Sequence, residues 1–311
     1  MLLTVTLNPA LDKSYELPSF SLGDVVRAKS TSLTAGGKGV NVAKVAKLLG
    51  YDVTATGFLG GDTGEFIEND LKGRGISAKF VKTKIPTRTC LNLNDTENIR
   101  QTVVLEPGSP VDELEQTQFI AVYGELLNKS DAVVLAGTVP QGVDANLIYP
   151  LLINMAKKAE KPVLIDTSGD ALYTAISAKP DFIKPNRHEL SFILKKDLSS
   201  IKEILEVALS LQKGGVKNVI VSMGEAGALF VLETGSYHAY APPVKALNTV
   251  GCGDALVAGF MCEYFTKKDF IEAITKSIAV SAAAALSGEI GAFEKEDYES
   301  ILPNIKIEKL L

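Results

Sequence analysis

The sequence predicts an α/β fold: a three-layer, doubly wound, mostly parallel sheet with a small antiparallel β-sheet set into its N-terminal third. Three observations carry this expectation. From about residue 110 onward, short apolar runs alternate with segments of helical periodicity, the mark of a parallel sheet covered on both faces. Before that point, runs of alternating polar and apolar residues stand between turn signals, as exposed antiparallel strands do. The chain of 311 residues, 46% hydrophobic and 22% charged, is long and apolar enough for a large core in one domain.

Taken in order, Met1 to Leu7 reads as the first strand. It lacks a charged leader and a cleavage site and runs into Asn8-Pro9, so it does not read as a signal peptide. Exposed strands are expected over 14–20, 27–35, 78–84, 87–94 and 99–106, interrupted by helices over 40–50 and 63–75. They make a lid subdomain, roughly 12–35 and 78–106, inside a single domain over 1–311; such a sheet covers a site or pairs with a second copy of itself. The parallel sheet takes its strands from 131–137, 162–168, 182–186, 219–224 and 228–233. Helical spacing fills 144–160, 199–213 and 269–286, and Gly50 and Gly214-Gly215 stop the helices before them.

Composition excludes several classes of function. The net charge is −5 and no basic run interleaves with aromatics, so neither nucleic acid nor a membrane surface is an expected partner. No apolar stretch is long enough to span a bilayer. Cys90, Cys252 and Cys262 form no CxxC or Cys/His cluster, which gives no disulfide framework and no zinc site, and a cytoplasmic setting is expected.

Two glycine-rich loops carry the chemistry. In Asn248-Thr249-Val250-Gly251-Cys252-Gly253-Asp254, small residues let backbone N–H groups converge at the start of a helix whose dipole favours an anion, and Asp254 adds a carboxylate. Alone, that aspartate is more often an N-cap. In Ala35-Gly36-Gly37-Lys38-Gly39-Val40-Asn41, three glycines and a lysine open a second helix. A phosphate site and a flexible loop with a solvated lysine fit that motif equally well. It is not a Walker A loop, because position 32 is Ser and Lys38 is followed by Gly39, and no GxGxxG follows a strand.

The order and spacing of these two loops resemble the ribokinase-like carbohydrate kinases, the PfkB family. Its N-terminal signature corresponds to Gly36 through Asn41 and its C-terminal signature to Asn248 through Gly259. Further landmarks agree: Thr6 to Asp12, Gly57 to Asp62, Lys184 to Glu189 and Val221 to Gly227. The resemblance spans essentially the whole chain and is nearest to the branch acting on phosphorylated sugars, the 1-phosphofructokinases and tagatose-6-phosphate kinases.

The resemblance implies ATP and Mg2+ as cofactors and a phosphorylated ketohexose as substrate, with a homodimer formed through the lid sheet. It makes Asp254 the base for the attacking hydroxyl and the Gly251, Cys252 and Gly253 amides an anion hole. Asp12, Gly36, Gly37 and Asn41 would bind the sugar, although Asp12 alone also reads as a turn aspartate. Lys38 and Arg88 would hold the phosphate the substrate already carries, with Arg27 and Arg100 as weaker candidates. Lys184, Asn186, Ser222, Gly224, Gly227, Gly251 and Gly253 would face the nucleotide, and Thr138 the transferred phosphate. Asn186 and Glu189 would hold magnesium through water; by themselves they are also a capping box. His188 reads as solvated. Cys252 stands where relatives usually carry alanine or serine: a small residue filling a small space, or a thiol activated by the helix terminus.

The preferred reaction is transfer to the C6 hydroxyl of fructose 1-phosphate. The segment Thr87 to Leu93 lacks the asparagine-valine-lysine run common in 1-phosphofructokinases and leans toward tagatose-6-phosphate kinases. A kinase of unphosphorylated sugars or nucleosides would leave Lys38 and Arg88 without an anionic partner. A silent sugar-phosphate sensor would not need Asp254.

Overall fold

The chain enters the main sheet with β1 (Leu2–Thr6), buried on both faces, and at once leaves it for β2 (Ala10–Leu17) and β3 (Ser30–Gly36). The structure, a computed structural model, describes residues 1–311 except Leu22 and Ile99. From β3 the chain returns through α1 (Lys38–Leu48) to β4 (Val53–Gly60), followed by α2 (Gly61–Gly73), β5 (Ser77–Ala78) and β6 (Val81–Thr83). A second excursion adds β7 (Thr89–Asp95) and β8 (Arg100–Leu105). Next come α3 (Glu113–Leu127), β9 (Ala132–Ala136), α4 (Ala145–Lys158), β10 (Val163–Asp166) and α5 (Gly169–Ser177). They lead to β11 (Phe182–Ile183), α6 (Arg187–Leu194), α7 (Ile201–Lys213), β12 (Asn218–Ser222), β13 (Ala228–Leu232) and β14 (Gly235–Tyr240). The chain ends with α8 (Cys252–Lys267), α9 (Phe270–Leu286), α10 (Lys295–Ile301) and β15 (Lys306–Lys309).

The main sheet runs β15-β14-β13-β12-β11-β10-β9-β1-β4-β5, with β6 also on β4. It is parallel from β5 through β12 and antiparallel beyond. Successive strand residues supply opposite cores. Leu2, Val134 and Ile220 pack with α1, α8 and α9 on one face, whereas Leu3, Val133 and Val219 pack with α3, α4 and α7 on the other. Each such burial is worth about 1.5–3 kcal/mol, which explains near-continuous Val/Ile/Leu in strands with no solvent face. Because the central strands are parallel, their carboxyl ends open on one edge, where such sheets place their ligands.

The lid is a second sheet of order β3-β2-β7-β8. Its outer pairings are antiparallel, but β2 and β7 pair in parallel, because the chain passes through the main sheet between them. The expected lid strand over 78–84 is a correction: β5 and β6 pair with β4, with Phe58 opposite Val81, and belong to the main sheet. A half-exposed edge strand carries the same alternation as a lid strand, so pattern alone does not separate them. The first lid strand starts at Ala10 rather than 14, and 27–29 lie outside β3. The start of the expected strand at Ile99 lies outside the described residues. Sequence reading passed over β4, α3, α5, β14, α10 and β15. In β4, Thr54 and Thr56 look solvent-facing yet are buried, the Thr56 hydroxyl donating to the Lys79 carbonyl at 2.6 Å.

Candidate active site

The site is built around the N-terminus of α8, a helix buried from Asp254 through Glu263 and wedged between α1 and α9. Gly251 is its N-cap at φ +86°, and a Cβ there would lie 3.0 Å from the Ile290 side chain, so both conformation and space demand glycine. The first-turn amides of Gly253 and Asp254 have no intrahelical acceptor, and the Cys252 N–H reaches only Thr249 O at 3.4 Å. Asp254 sits at the third helical position, which removes the N-cap reading. Its carboxylate accepts from Asn41 Nδ2 at 2.8 Å. Burial, reinforced by the charge of Asp166, raises its pKa to about 6 against the pull of Lys38, Asn41 and Lys184.

A second cluster lies beside it at the ends of β10 and β11. Lys38 donates to Asp166 Oδ1 at 2.8 Å and stands 3.9 Å from Glu189 Oε1. Lys184 is 3.4 Å from Asp166 Oδ2 and 3.5 Å from where a side chain on Gly253 would start. Burial works to raise the Asp166 pKa, yet the two lysines hold it below its ordinary value. Desolvation likewise opposes the Lys38 ammonium, and Asp166, Asp254 and Glu189 more than offset it. Sequence reading missed Asp166. Its signal was a lone acid ending the apolar run Val163-Leu164-Ile165, at the carboxyl end of a parallel strand.

Asn186 and Glu189 form the reciprocal cap of α6, with both bonds at 2.8 Å. Glu189 uses Oε2 for this, leaving Oε1 toward Lys38, so capping and ligand binding are compatible. Ser222 joins them through its backbone, donating to Pro185 O at 3.1 Å and bridging Asn186. Gly224 faces open space, but a Cβ on Gly227 would collide with Ala239 O at 2.0 Å; strand packing accounts for that glycine. Thr138 is exposed and held by Asn8 Nδ2 at 3.3 Å, while His188 is solvated as expected.

On the lid side, Asp12 lies under Gly36 so closely that a Cβ would fall 2.1 Å from its carboxylate. Burial raises the Asp12 pKa to about 6, with Lys44 and Arg88 opposing. Gly37 caps α1 at φ +109° against Thr6 and Pro9. Lys38 and Arg88 do not share partners. Arg88 donates to the carbonyls of Pro9 (3.3 Å), Glu106 (2.7 Å) and Asn8 (2.9 Å), bracing the lid on the sheet, whereas Lys38 faces the carboxylates. Arg27 and Arg100 are exposed.

Burial, with the negative Asp254 next to it, pushes the Cys252 thiol up to about 11, which favours a small residue filling a small space over an activated thiol.

Residues 5–296 match the model of the pfkB family carbohydrate kinases. Phosphofructokinase-2 from Escherichia coli, solved with fructose-6-phosphate, is 27% identical, with 97% of this chain and 98% of that one covered and a TM-score of 0.89. A possible 1-phosphofructokinase from Thermotoga maritima is 26% identical over 100% of both chains, with a TM-score of 0.90. The ribokinase of Arabidopsis thaliana, solved with ribose and ATP, shares the fold at 21% identity, covering 97% and 98% of the two chains with a TM-score of 0.79.

Proposed function

The chain belongs to the pfkB family of carbohydrate kinases, and on that premise we propose that it uses ATP to phosphorylate a ketohexose phosphate, at the C6 hydroxyl of fructose 1-phosphate. One observation carries the reading. A buried carboxylate, raised to about 6 and steadied by Asn41, stands at a helix terminus whose Gly253 and Asp254 amides have no intrahelical acceptor. That is a base next to an anion hole, the pair that in-line phosphoryl transfer needs.

Asp254 removes the proton from the attacking hydroxyl, and Asn41 holds its carboxylate in line. Asp12 accepts hydrogen bonds from other sugar hydroxyls, while Gly36 and Gly37 let the sugar lie against the backbone. Charge on the migrating phosphoryl group is met by the amides of the Gly251 turn and by Lys38 and Lys184. Of the five guanidinium N–H groups of Arg88, three are spent on carbonyls, and the remaining two are offered to the phosphate the substrate brings. Asp166 Oδ2 is buried without a hydrogen bond, with Lys184 3.4 Å away, and Glu189 Oε1 lies 3.9 Å from the Lys38 ammonium that binds the other Asp166 oxygen. With Asn186 they make a hard-oxygen set suited to magnesium held through water. Magnesium held there would neutralise charge on the nucleotide phosphates.

The lid closes the sugar side and excludes water. Its outer strands expose Leu33, Val103, Val104 and Leu105, and we assign this surface to a homodimer. Tagatose 6-phosphate, phosphorylated at its C1 hydroxyl, is the alternative substrate, favoured by the lid sequence Thr87 to Leu93. A coupled ADP-release assay with fructose 1-phosphate, tagatose 6-phosphate, fructose 6-phosphate and the free sugars tests the proposal. Preferred turnover of fructose 1-phosphate is expected. Preference for tagatose 6-phosphate selects the alternative, and turnover of free sugars alone, or of none, overturns both.

A further inference from the structure

Lys44 is a lysine with 1% exposure, in a place the phosphoryl-transfer chemistry does not use. It lies on α1 one turn past Asn41, and its ammonium donates to two backbone carbonyls, Ala35 O at 3.1 Å and Ile290 O at 2.6 Å. Glu289 Oε1 stands 3.8 Å away. An ammonium is not buried without such partners, so the identities of the two carbonyls matter. Ala35 is the root of the lid, next to Gly36 and Asp12. Ile290 and Gly291 form the loop beneath the anion hole: the Ile290 side chain is what a Cβ on Gly251 would meet, and a Cβ on Gly291 would lie 3.2 Å from Asn41 and 3.1 Å from Lys44, so only glycine lets the loop approach α1 this closely.

The same two segments are joined a second way. The Ala35 N–H donates to Asp70 Oδ2 at 3.1 Å, Asp70 Oδ1 accepts from Arg74 Nε at 3.1 Å, and Arg74 donates to Glu289 at 2.7 Å. A ring of alternating charges, Asp70, Arg74, Glu289 and Lys44, therefore grips both backbone groups of Ala35 and ends on the anion-hole loop. Burial depresses the Lys44 pKa, with Glu289 the main opposing influence.

We propose that Lys44 is a positioning residue that clamps the root of the lid to the loop under the Gly251 turn, so that the sugar side and the anion hole keep a single alignment. The inference rests on the kinase reading above. It makes Lys44 act through Ala35, Asn41 and Gly251 rather than on substrate, and it assigns the second glycine loop a mechanical link to the first.

The test is steady-state kinetics of the full chain, using the sugar phosphate that the ADP-release assay identifies. Lys44→Met keeps the side chain's length and apolar stem without the charge. Its kcat/KM for the sugar phosphate is expected to fall about 100-fold, the scale of a misalignment near 1 Å, with sugar KM and kcat both affected and ATP KM within about twofold. Lys44→Arg, which keeps the charge, is expected to restore most of the loss. A merely structural lysine would lower the melting temperature of Lys44→Met while leaving kcat and both KM values of the folded fraction unchanged, and that result overturns the proposal. Should Lys44→Met not fold, Glu289→Gln decides, since it loosens the ring yet leaves both carbonyl bonds: a change in sugar KM with ATP KM fixed supports the clamp, and no change overturns it. Absence of turnover in the wild-type chain would instead strike the kinase reading, so the two failures are distinct.

Discussion

The floor of the site and its lid are built by opposite rules. On the floor, Asp254, Asp166 and Lys184 are buried, and their contacts join residues far apart in the chain, Asn41 to Asp254 across 213 positions and Lys38 to Asp166 across 128. In the lid, every residue of β8 is exposed, as is β3 from Ser30 through Leu33. The floor fixes charges where water is excluded and their interactions are strong. The lid has little apolar burial in its outer strands, and on the proposed reading substrate or a second copy completes it. The contrast separates a buried, fixed floor suited to chemistry from an exposed sheet suited to recognition.

The sharpest way to break this contrast is Asp254→Asn. The amide keeps the shape and a bond to Asn41 but removes the base, so kcat is expected to fall by about 10²–10⁴-fold, with nucleotide binding retained by calorimetry. Stability moves the other way. A carboxyl whose folded pKa is raised from 3.8 to about 6 holds more protons in the folded chain than in the unfolded one between those values. Its contribution is present at low pH and is lost as pH rises through about 6. At neutral pH the wild-type chain carries that deficit and Asp254→Asn does not, so the variant should melt at a higher temperature. Asp12 is raised to about 6 for the same main reason and adds to the slope. Activity should rise with pH through the same region, because the base works only when ionised. A pH-independent kcat/KM between 5 and 7.5, or an Asp254→Asn variant with near-normal turnover, would remove Asp254 from the role.

How far the sequence foretold this depended on whether the physics was local. Helix ends were legible because Gly50 (φ +86°) and Gly215 (φ +112°) stop helices through backbone conformation, and buried parallel strands because both faces must be apolar. The glycine loops were legible as helix-opening turns because Gly37 (φ +109°) and Gly251 (φ +86°) hold a conformation that favours glycine. Partnerships were not. Nothing local reveals that Lys38 donates to Asp166, that Arg88 spends three donors on carbonyls, or that Lys44 bridges Ala35 and Ile290, since each contact is made only by the tertiary fold. The environment of the Cys252 thiol was hidden for the same reason: the helix terminus is local, but the burial that raises its pKa is set by the tertiary fold.

A smaller effect is expected in the lid. Val104 is exposed on β8, at the sheet edge assigned to the homodimer, and edge charges are how exposed strands avoid pairing. Val104→Lys should convert dimer to monomer by sedimentation velocity and raise the sugar-phosphate KM about fivefold to tenfold, because the lid loses its brace. Since the site touches no core, stability should stay within about 0.5 kcal/mol and kcat should be nearly unchanged. A wild-type chain that sediments as a monomer at all concentrations, or a variant that remains dimeric, counts against the lid interface.

The smallest effect sharpens the contrast from the floor's own side. Cys252 occupies the first position of α8, yet its thiol makes only a weak contact to Asn248 O at 3.8 Å, while its backbone carbonyl is fixed by Ser281 Oγ at 3.0 Å. What the floor uses at this position is therefore the main chain. Cys252→Ala keeps that main chain and is expected to leave kcat within about twofold, with a stability loss of about 0.5–1 kcal/mol. With the thiol pushed up to about 11, little thiolate exists at neutral pH, so iodoacetamide at pH 7.5 should inactivate wild type and Cys252→Ala at the same slow rate. Rapid inactivation of wild type alone would mean that the helix terminus, rather than burial, governs this thiol, and that the floor is open to solvent where the geometry closes it.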